Sequence, residues 1–207
     1  MLSEKIQLVL NKQLNAEFQS AYTYLSLAAY FEDLDLNGFA HWMKIQYQEE
    51  LVHADKIYTY INDRDGRVVL AALDEPRPEW ESPLEAFKWA LANEQALSQK
   101  IYRVVDEALL ERDHATHTFM QWFVNEQVEE EAIVRDIVSD IERIIESKDG
   151  KYTKVSHVKP IFARAGVVPL LQQKVQSSYL KSKDKFHAKG QDSNPVRLQA
   201  TCFRKTQ

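Results

Sequence analysis

Four stretches of this 207-residue chain repeat apolar side chains every three or four positions for more than twenty residues, with no glycine or proline in their interiors. That period is the turn of an α-helix, and it limits the chain to an architecture of long helices that each bury one stripe. The first covers residues 4–33, with Leu14, Phe18, Ala21, Leu25 and Ala28 on its stripe, and stops at Asp33-Leu34-Asp35-Leu36-Asn37-Gly38. The second runs from about Phe39 to Asn62 with Phe39, Met43, Gln46, Glu50, His53, Ile57 and Tyr60 on one face, and ends at the turn signal Asp63-Arg64-Asp65-Gly66. Ser82-Pro83-Leu84-Glu85 opens the third: Ser is the N-cap, Pro the first helical residue and Glu85 the capping-box partner. This helix reaches about Leu110, with Leu84, Phe87, Leu91, Glu94, Ile101, Val105 and Ala108 inward. The fourth follows a break near Asp113, shows Phe119, Phe123, Glu126, Glu130, Ile133, Ile137 and Ile144, and closes at Lys148-Asp149-Gly150.

The links between the first two and the last two helices are short, so each pair is an antiparallel hairpin. The link at residues 67–81, with Pro76 and Pro78, is long enough to cross the body and makes helices two and three parallel. The fold class is therefore all-α, a four-helix bundle with one long crossover connection. Val68-Val69-Leu70 makes an apolar, strand-like patch on that crossover. It is exposed on a lone bundle and covered if it pairs with its copy about a two-fold axis, which predicts at least a dimer.

The charge is divided along the chain. Residues 1–150 hold 29 acidic and 14 basic residues, net −15, whereas residues 151–207 hold 2 acidic and 12 basic, net +10. An acidic body attracts cations and repels nucleic acid. The basic segment offers a short helix from Pro169 and, from Lys181 onward, a Lys- and Ser-rich stretch of the kind that stays disordered. No apolar run approaches the length of a membrane span, and the polar start Met1-Leu2-Ser3-Glu4-Lys5 lacks the order of a signal peptide, so a cytoplasmic protein without membrane partners is expected. The single cysteine, Cys202, can close no internal disulfide.

Carboxylates interrupt all four stripes. Glu17, Glu50, Glu94 and Glu130 each occupy an inward position about midway along a helix. One such residue reads most simply as a solvated helix flank, but four at the same depth do not. An isolated buried carboxylate costs many kcal/mol or takes up a proton, and several facing one another ask for cations. In Glu50-Leu51-Val52-His53 a carboxylate and an imidazole three residues apart share a face. Oxygen-rich ligation with one histidine suits iron, manganese or zinc, and a bridging carboxylate suits a pair of ions.

Four blocks, in order, resemble the bacterial non-haem ferritins: Asn15-Ala16-Glu17-Phe18-Gln19-Ser20-Ala21-Tyr22, Gln48-Glu49-Glu50-Leu51-Val52-His53-Ala54, Glu94-Gln95, and Gln121 through Glu130 with Asn125-Glu126-Gln127 and Glu129-Glu130. The resemblance covers residues 1 to about 150 and implies the ferritin-like bundle, whose inward glutamates hold a pair of iron ions. It implies a first iron position at Glu17, Glu50 and His53, and a second at Glu50, Glu94 and Glu130 with Gln127 nearby, Glu50 being the bridge. A third, more exposed position falls on Glu49, Glu126, Glu129 and Glu130. Tyr24 matches the family's tyrosine beside the centre, a source of an extra electron. The implied activity is that of a ferroxidase, oxidising Fe(II) with oxygen or hydrogen peroxide and storing ferric mineral in a shell, normally of 24 subunits; the alternatives are a non-storage di-metal carboxylate oxidase on the same bundle and a non-catalytic bundle whose glutamates face an interface. Bacterioferritins carry a second Glu-x-x-His where this chain has Gln127 and Glu130, and a haem-binding Met where it has Leu51, so no haem is expected. Rubrerythrins add a four-cysteine domain that one cysteine cannot make. Residues 151–207 do not read like the short fifth helix of ferritin shells, since Pro160 disfavours helix just before it.

Overall fold

The computed structural model describes residues 1–146. They form α1 (Glu4–Asp33), α2 (Asn37–Asp63), α3 (Pro83–Leu110) and α4 (His114–Glu146), joined by two tight turns and one extended crossover, as the sequence predicts. The readings of a helix from Pro169 and of a disordered end lie outside the described residues, as does the closing of α4 at Gly150. α1 packs chiefly on α2 and α3 on α4, and α1 also lies against α3. No helix among the described residues is long and apolar enough to cross a membrane.

The helix ends follow local chemistry. Ser3 caps α1 through its hydroxyl and the Ile6 amide. At α3 the Ser82 hydroxyl accepts from the Glu85 amide, and Glu85 reaches back to accept from the amide of Glu81, one residue before the cap. Asp113 accepts from the amide and hydroxyl of Thr116 at the start of α4 while the Arg64 guanidinium forks onto both its oxygens, which ties the end of α2 to the start of α4. α1, α2 and α3 all stop the same way: a residue with left-handed backbone, Asp35 (φ 57°), Asp65 (φ 54°) and Arg112 (φ 56°), is followed by one whose amide reaches back to Phe31, Ile61 and Ala108, respectively. Glycine is the usual residue at such a stop. Here the left-handed positions are taken by Asp, Asp and Arg, while Gly38 lies inside α2 and Gly66 follows the left-handed residue. Gly66 is required for space: a Cβ there would come within 2.8 Å of Leu2 and 2.9 Å of Ile61.

The crossover is held by a ladder of amide side chains on α1. Gln7, Asn11, Asn15 and Gln19, spaced four apart, form one row. Asn11 donates to the Arg67 carbonyl and accepts from the Val69 amide, and Asn15 donates to the Val69 carbonyl and accepts from the Ala71 amide. Gln7 accepts from the Arg67 amide, and Gln19 closes the row by pairing with both backbone groups of Asp74. The row thus satisfies one edge of an extended segment, as a neighbouring strand would.

The core consists of two apolar blocks. One gathers Tyr24, Leu27, Phe31, Phe39, Trp42, Met43, Phe87 and Val134; the other gathers Ile6, Leu10, Leu14, Ile57, Ile61, Ile101, Met120 and Phe123. Each fully buried large side chain contributes about 1.5–3 kcal/mol. On every helix the boundary between blocks falls where an inward glutamate lies. Leu25, placed on the α1 stripe by spacing, is exposed on its flank, and Phe18 is half-buried; the buried row instead runs through Ile6, Leu10, Leu14, Glu17, Ala21, Tyr24 and Ala28.

Asn11→Ala removes one rung of the ladder and leaves the Val69 amide and Arg67 carbonyl without their partner. The expected loss is about 1–3 kcal/mol, with accelerated hydrogen exchange confined to residues 67–71. Native-state exchange with a parallel thermal melt checks this; unchanged exchange at Val69 would show that the rung carries nothing.

Candidate metal centre

Between the two apolar blocks lies a polar layer to which all four helices contribute. α1 brings Glu17, Ser20 and Gln13; α2 brings Gln46, Glu49, Glu50 and His53; α3 brings Glu94; α4 brings Gln127 and Glu130, and all ten are buried. Ligand atoms of Glu17, Glu50 and His53 all lie within 4.8 Å of one another, the one such triad among the described residues. His53 Nδ1 stands 3.4 Å from Glu50 Oε2, as the three-residue spacing requires. Glu94 and Glu130 share the layer but are anchored to other partners, and Glu49, Glu126, Glu129 and Glu130 are not drawn into a comparable group. Glu49 is buried, Glu126 half-buried and Glu129 exposed.

A pattern the sequence did not reveal runs through the layer: Glu17, Glu50, Glu94 and Glu130 are each tethered by one or more neutral donors. Gln13 Nε2 donates to Glu17 Oε1 at 2.8 Å, Ser20 Oγ to Glu50 Oε1 at 2.7 Å, and Gln46 Nε2 to Glu130 Oε2 at 2.9 Å. Asn93 in turn donates to Ser20. In these three carboxylates the second oxygen, Glu17 Oε2, Glu50 Oε2 and Glu130 Oε1, is buried and accepts no hydrogen bond. Glu94 differs, because Tyr24 OH donates to one oxygen and Gln127 Nε2 to the other at 3.1 Å. A buried polar atom without a hydrogen bond costs about 1–3 kcal/mol, so these oxygens, gathered in one layer, mark a place where something else supplies the bond. The donor set fits a divalent first-row cation: hard oxygens plus one neutral imidazole, with the remaining oxygen of each acid fixed by a neutral group. Gln13 and Ser20 lie four and three residues from Glu17, and Gln46 lies four before Glu50. The signal available in sequence was a polar residue one turn from a buried acid.

The electrostatics agree. Burial first, then the Glu50 charge, push the Glu17 carboxyl well above its usual range. Burial and the Glu94 charge do the same for Glu50, against the opposing hydrogen bond of Ser20. Burial, with Glu49, Glu94 and Glu50 adding repulsion, raises Glu130 well above the range. Burial raises Glu94 less, because the Tyr24 and Gln127 hydrogen bonds stabilise its ionised form. The Tyr24 hydroxyl is pushed far up by burial and by the Glu94 and Glu50 charges, so it keeps its proton. Without metal the layer holds protons that a cation would displace.

The family model for the ferritin-like domain matches residues 7–144. The chain belongs to the ferritin-like family. It is similar to the bacterial non-heme ferritin of Bacteroides fragilis, 43% identical over 143 residues that cover 69% of this chain and 90% of that one. It is likewise 38% identical to that of Staphylococcus saprophyticus over 152 residues, covering 73% of this chain and 91% of the relative. Among solved structures, an open pore ferritin from the hyperthermophilic archaeon Archaeoglobus fulgidus superposes with a TM-score of 0.73 at 44% identity, covering 79% of this chain and 99% of that one. The ferritin of Chlorobium tepidum gives 0.69 at 36% identity, covering 73% and 92%.

In the unfolded ferritin chain these acids titrate near their ordinary value of 4.5, and in the metal-free fold they hold protons to higher pH. The associated stability is complete below that value and is lost as pH rises through the raised ones. Glu130→Gln keeps an acceptor for Gln46 and turns an amide, not a charge, towards Glu50 and Glu94. The metal-free variant should melt roughly 2–4 °C above wild type near pH 8, with the difference closing towards pH 5. Calorimetric melts across that range check it; a difference independent of pH would mean that Glu130 carries no charge penalty.

Proposed function

We propose that this ferritin binds Fe(II) as its substrate in pairs at the polar layer, oxidises it with oxygen or hydrogen peroxide, and keeps the ferric product within an assembly of its own copies in the cytoplasm. The observation that carries this reading is the buried triad of Glu17, Glu50 and His53, with orphaned carboxylate oxygens beside it and no lysine or arginine among the described residues paired to Glu17, Glu50, Glu94 or Glu130. The names of the relatives and neighbours, non-heme ferritins and ferritins, point to the same substrate.

In this reading Glu17, Glu50 and His53 take the first Fe(II). Glu50 bridges to the second, which Glu94 and Glu130 complete with Gln127 alongside. Two Fe(II) ions give two electrons and oxygen takes them with two protons to become hydrogen peroxide; with hydrogen peroxide as oxidant the product is water. The protein fixes the carboxylates through Gln13, Ser20 and Gln46, excludes bulk water with its two apolar blocks, and releases protons from Glu17, Glu50 and Glu130 as iron enters. Where a single Fe(II) is present, Tyr24 can supply the second of the two electrons that the oxidant takes, while its phenolic proton passes to the Glu94 carboxylate it already touches. Glu49, Glu126, Glu129 and Glu130 form the third position, through which iron passes towards the store.

Self-association rests on the crossover. Val69, Leu70 and Leu73 are exposed, Leu70 at 63%, and beside them Leu8, Val69 and Ala71 help to line a groove of about 580 Å³ along α1. Tyr22, Leu25 and Trp89 add exposed apolar flank, whereas Trp80 is already buried against Tyr30 within one chain. A second copy covers this surface in a dimer, and dimers build the shell of 24.

Glu50→Ala and His53→Ala are expected to abolish the fast phase of Fe(II) oxidation, a loss of at least about a hundredfold, while Glu129→Ala alters mainly the later phase. Stopped-flow mixing of Fe(II) with aerobic buffer, followed at the ferric absorbance, checks this. Near-normal initial rates in Glu50→Ala would move the chemistry away from this layer. Light scattering gives the companion result: a particle far heavier than a dimer supports storage, and a free monomer would remove it.

A further inference from the structure

The polar layer has oxidisable rings on two sides, and their surroundings differ. Tyr24, fully buried, donates its hydroxyl proton to the Glu94 carboxylate, so a base is in place when the ring gives up an electron. On the other side half-buried Trp122 of α4 stands edge-on to His53, with centroids 5.4 Å apart and planes at 82°. Over the face of that indole, 4.2 Å from its centroid, sits the ammonium group of Lys56, one turn after His53 on α2. A second aromatic path leaves His53 through Phe123 and Phe119 to Tyr60, which stacks on Phe119 at 3.9 Å. It too ends beside a cation, since Arg64 lies 5.5 Å from the Tyr60 ring and donates to its hydroxyl. A cation over a ring is attracted to the neutral π-cloud but repels the positive charge left when an electron departs.

We propose that Lys56 keeps Trp122 out of the oxidation chemistry: its ammonium group makes electron loss from the indole harder, so oxidant formed or bound beside His53 is consumed by Fe(II) and Tyr24. This rests on the ferroxidase reading above. The reaction being suppressed is the oxygenation of the indole by hydrogen peroxide. Two electrons pass from the ring to the peroxide, one peroxide oxygen ends on the ring as a hydroxyl group, and the other leaves as water. Such a change would place a polar group against His53 and Phe123, which Trp122 contacts edge-on. Lys56 is thus a positioning residue that acts through Trp122, and the initial rate of Fe(II) oxidation does not depend on it.

The test compares full-length wild type, Lys56→Met and Lys56→Arg in two arms, each read by peptide mass spectrometry as oxygen added to Trp122 relative to Trp89. In the first arm metal-free protein meets a photogenerated one-electron oxidant; in the second the protein receives repeated additions of Fe(II) and hydrogen peroxide. Lys56→Met should raise Trp122 oxidation roughly two- to fivefold in both arms, and Lys56→Arg should match wild type. Equal modification of Trp122 in all three proteins in the metal-free arm overturns the proposal, as does Lys56→Arg behaving like Lys56→Met. If the metal-free arm shows the rise but wild type fails to oxidise Fe(II), the effect of the lysine stands and the ferroxidase reading falls.

Discussion

A layer of buried carboxylates, of which Glu17, Glu50, Glu94 and Glu130 have no lysine or arginine partner among the described residues, is the constraint on which the rest of the molecule depends. Glu17, Glu50, Glu94 and Glu130 are between 0% and 3% exposed and carry raised titration ranges because of burial and one another. Such a layer opposes folding, and it persists because apolar blocks above and below it are large enough to outweigh it. Phe31, Phe39, Trp42 and Phe87 pack in one block, and Leu10, Leu14, Ile57 and Phe123 in the other. Helices of 27 to 33 residues give room for both blocks and the layer between them; half that length would give up one block.

The same helices are used on more than one face. α1 turns Leu14, Glu17, Ala21 and Tyr24 inward, while Gln7, Asn11, Asn15 and Gln19 grip the crossover from a neighbouring face. The crossover is thereby fixed to the helix that carries Glu17, and α2, which carries Glu50 and His53, is tied to α4 at Arg64 and Asp113. Rigid placement matters because a cation site needs its oxygens held before the cation arrives. Gln13, Ser20 and Gln46 do that locally by occupying one oxygen of each acid and leaving the other without a partner.

Much of this was legible from residues. Four Gly- and Pro-free periodic segments gave the helices to within a few residues, Ser82-Pro83-Leu84-Glu85 marked the start of α3, and inward glutamates at matching depth marked the layer. Four features were not legible, for physical reasons. The left-handed stops at Asp35, Asp65 and Arg112 look like ordinary polar turns, because glycine, the usual sign, stands three residues after Asp35, one after Asp65 and nowhere near Arg112. The amide row on α1 has the spacing of a solvated face, and only the presence of the crossover backbone turns it into a ladder. Leu25 met the spacing rule but falls on the flank, since a three-four pattern can drift around a helix away from its buried centre. Gln13 and Gln46 are only 1% exposed, and nothing in a single glutamine tells a tether from a surface group until its carboxylate partner is placed.

The central claim is that the layer exists to take divalent cations in exchange for protons. Calorimetric titration of metal-free protein with Fe(II) under anaerobic conditions, in two buffers of different ionisation enthalpy, measures both terms at once. The account predicts about two ions bound per chain at neutral pH with net proton release that disappears in Glu50→Ala. Binding with no proton exchange, or with the same proton release in Glu50→Ala, would contradict it.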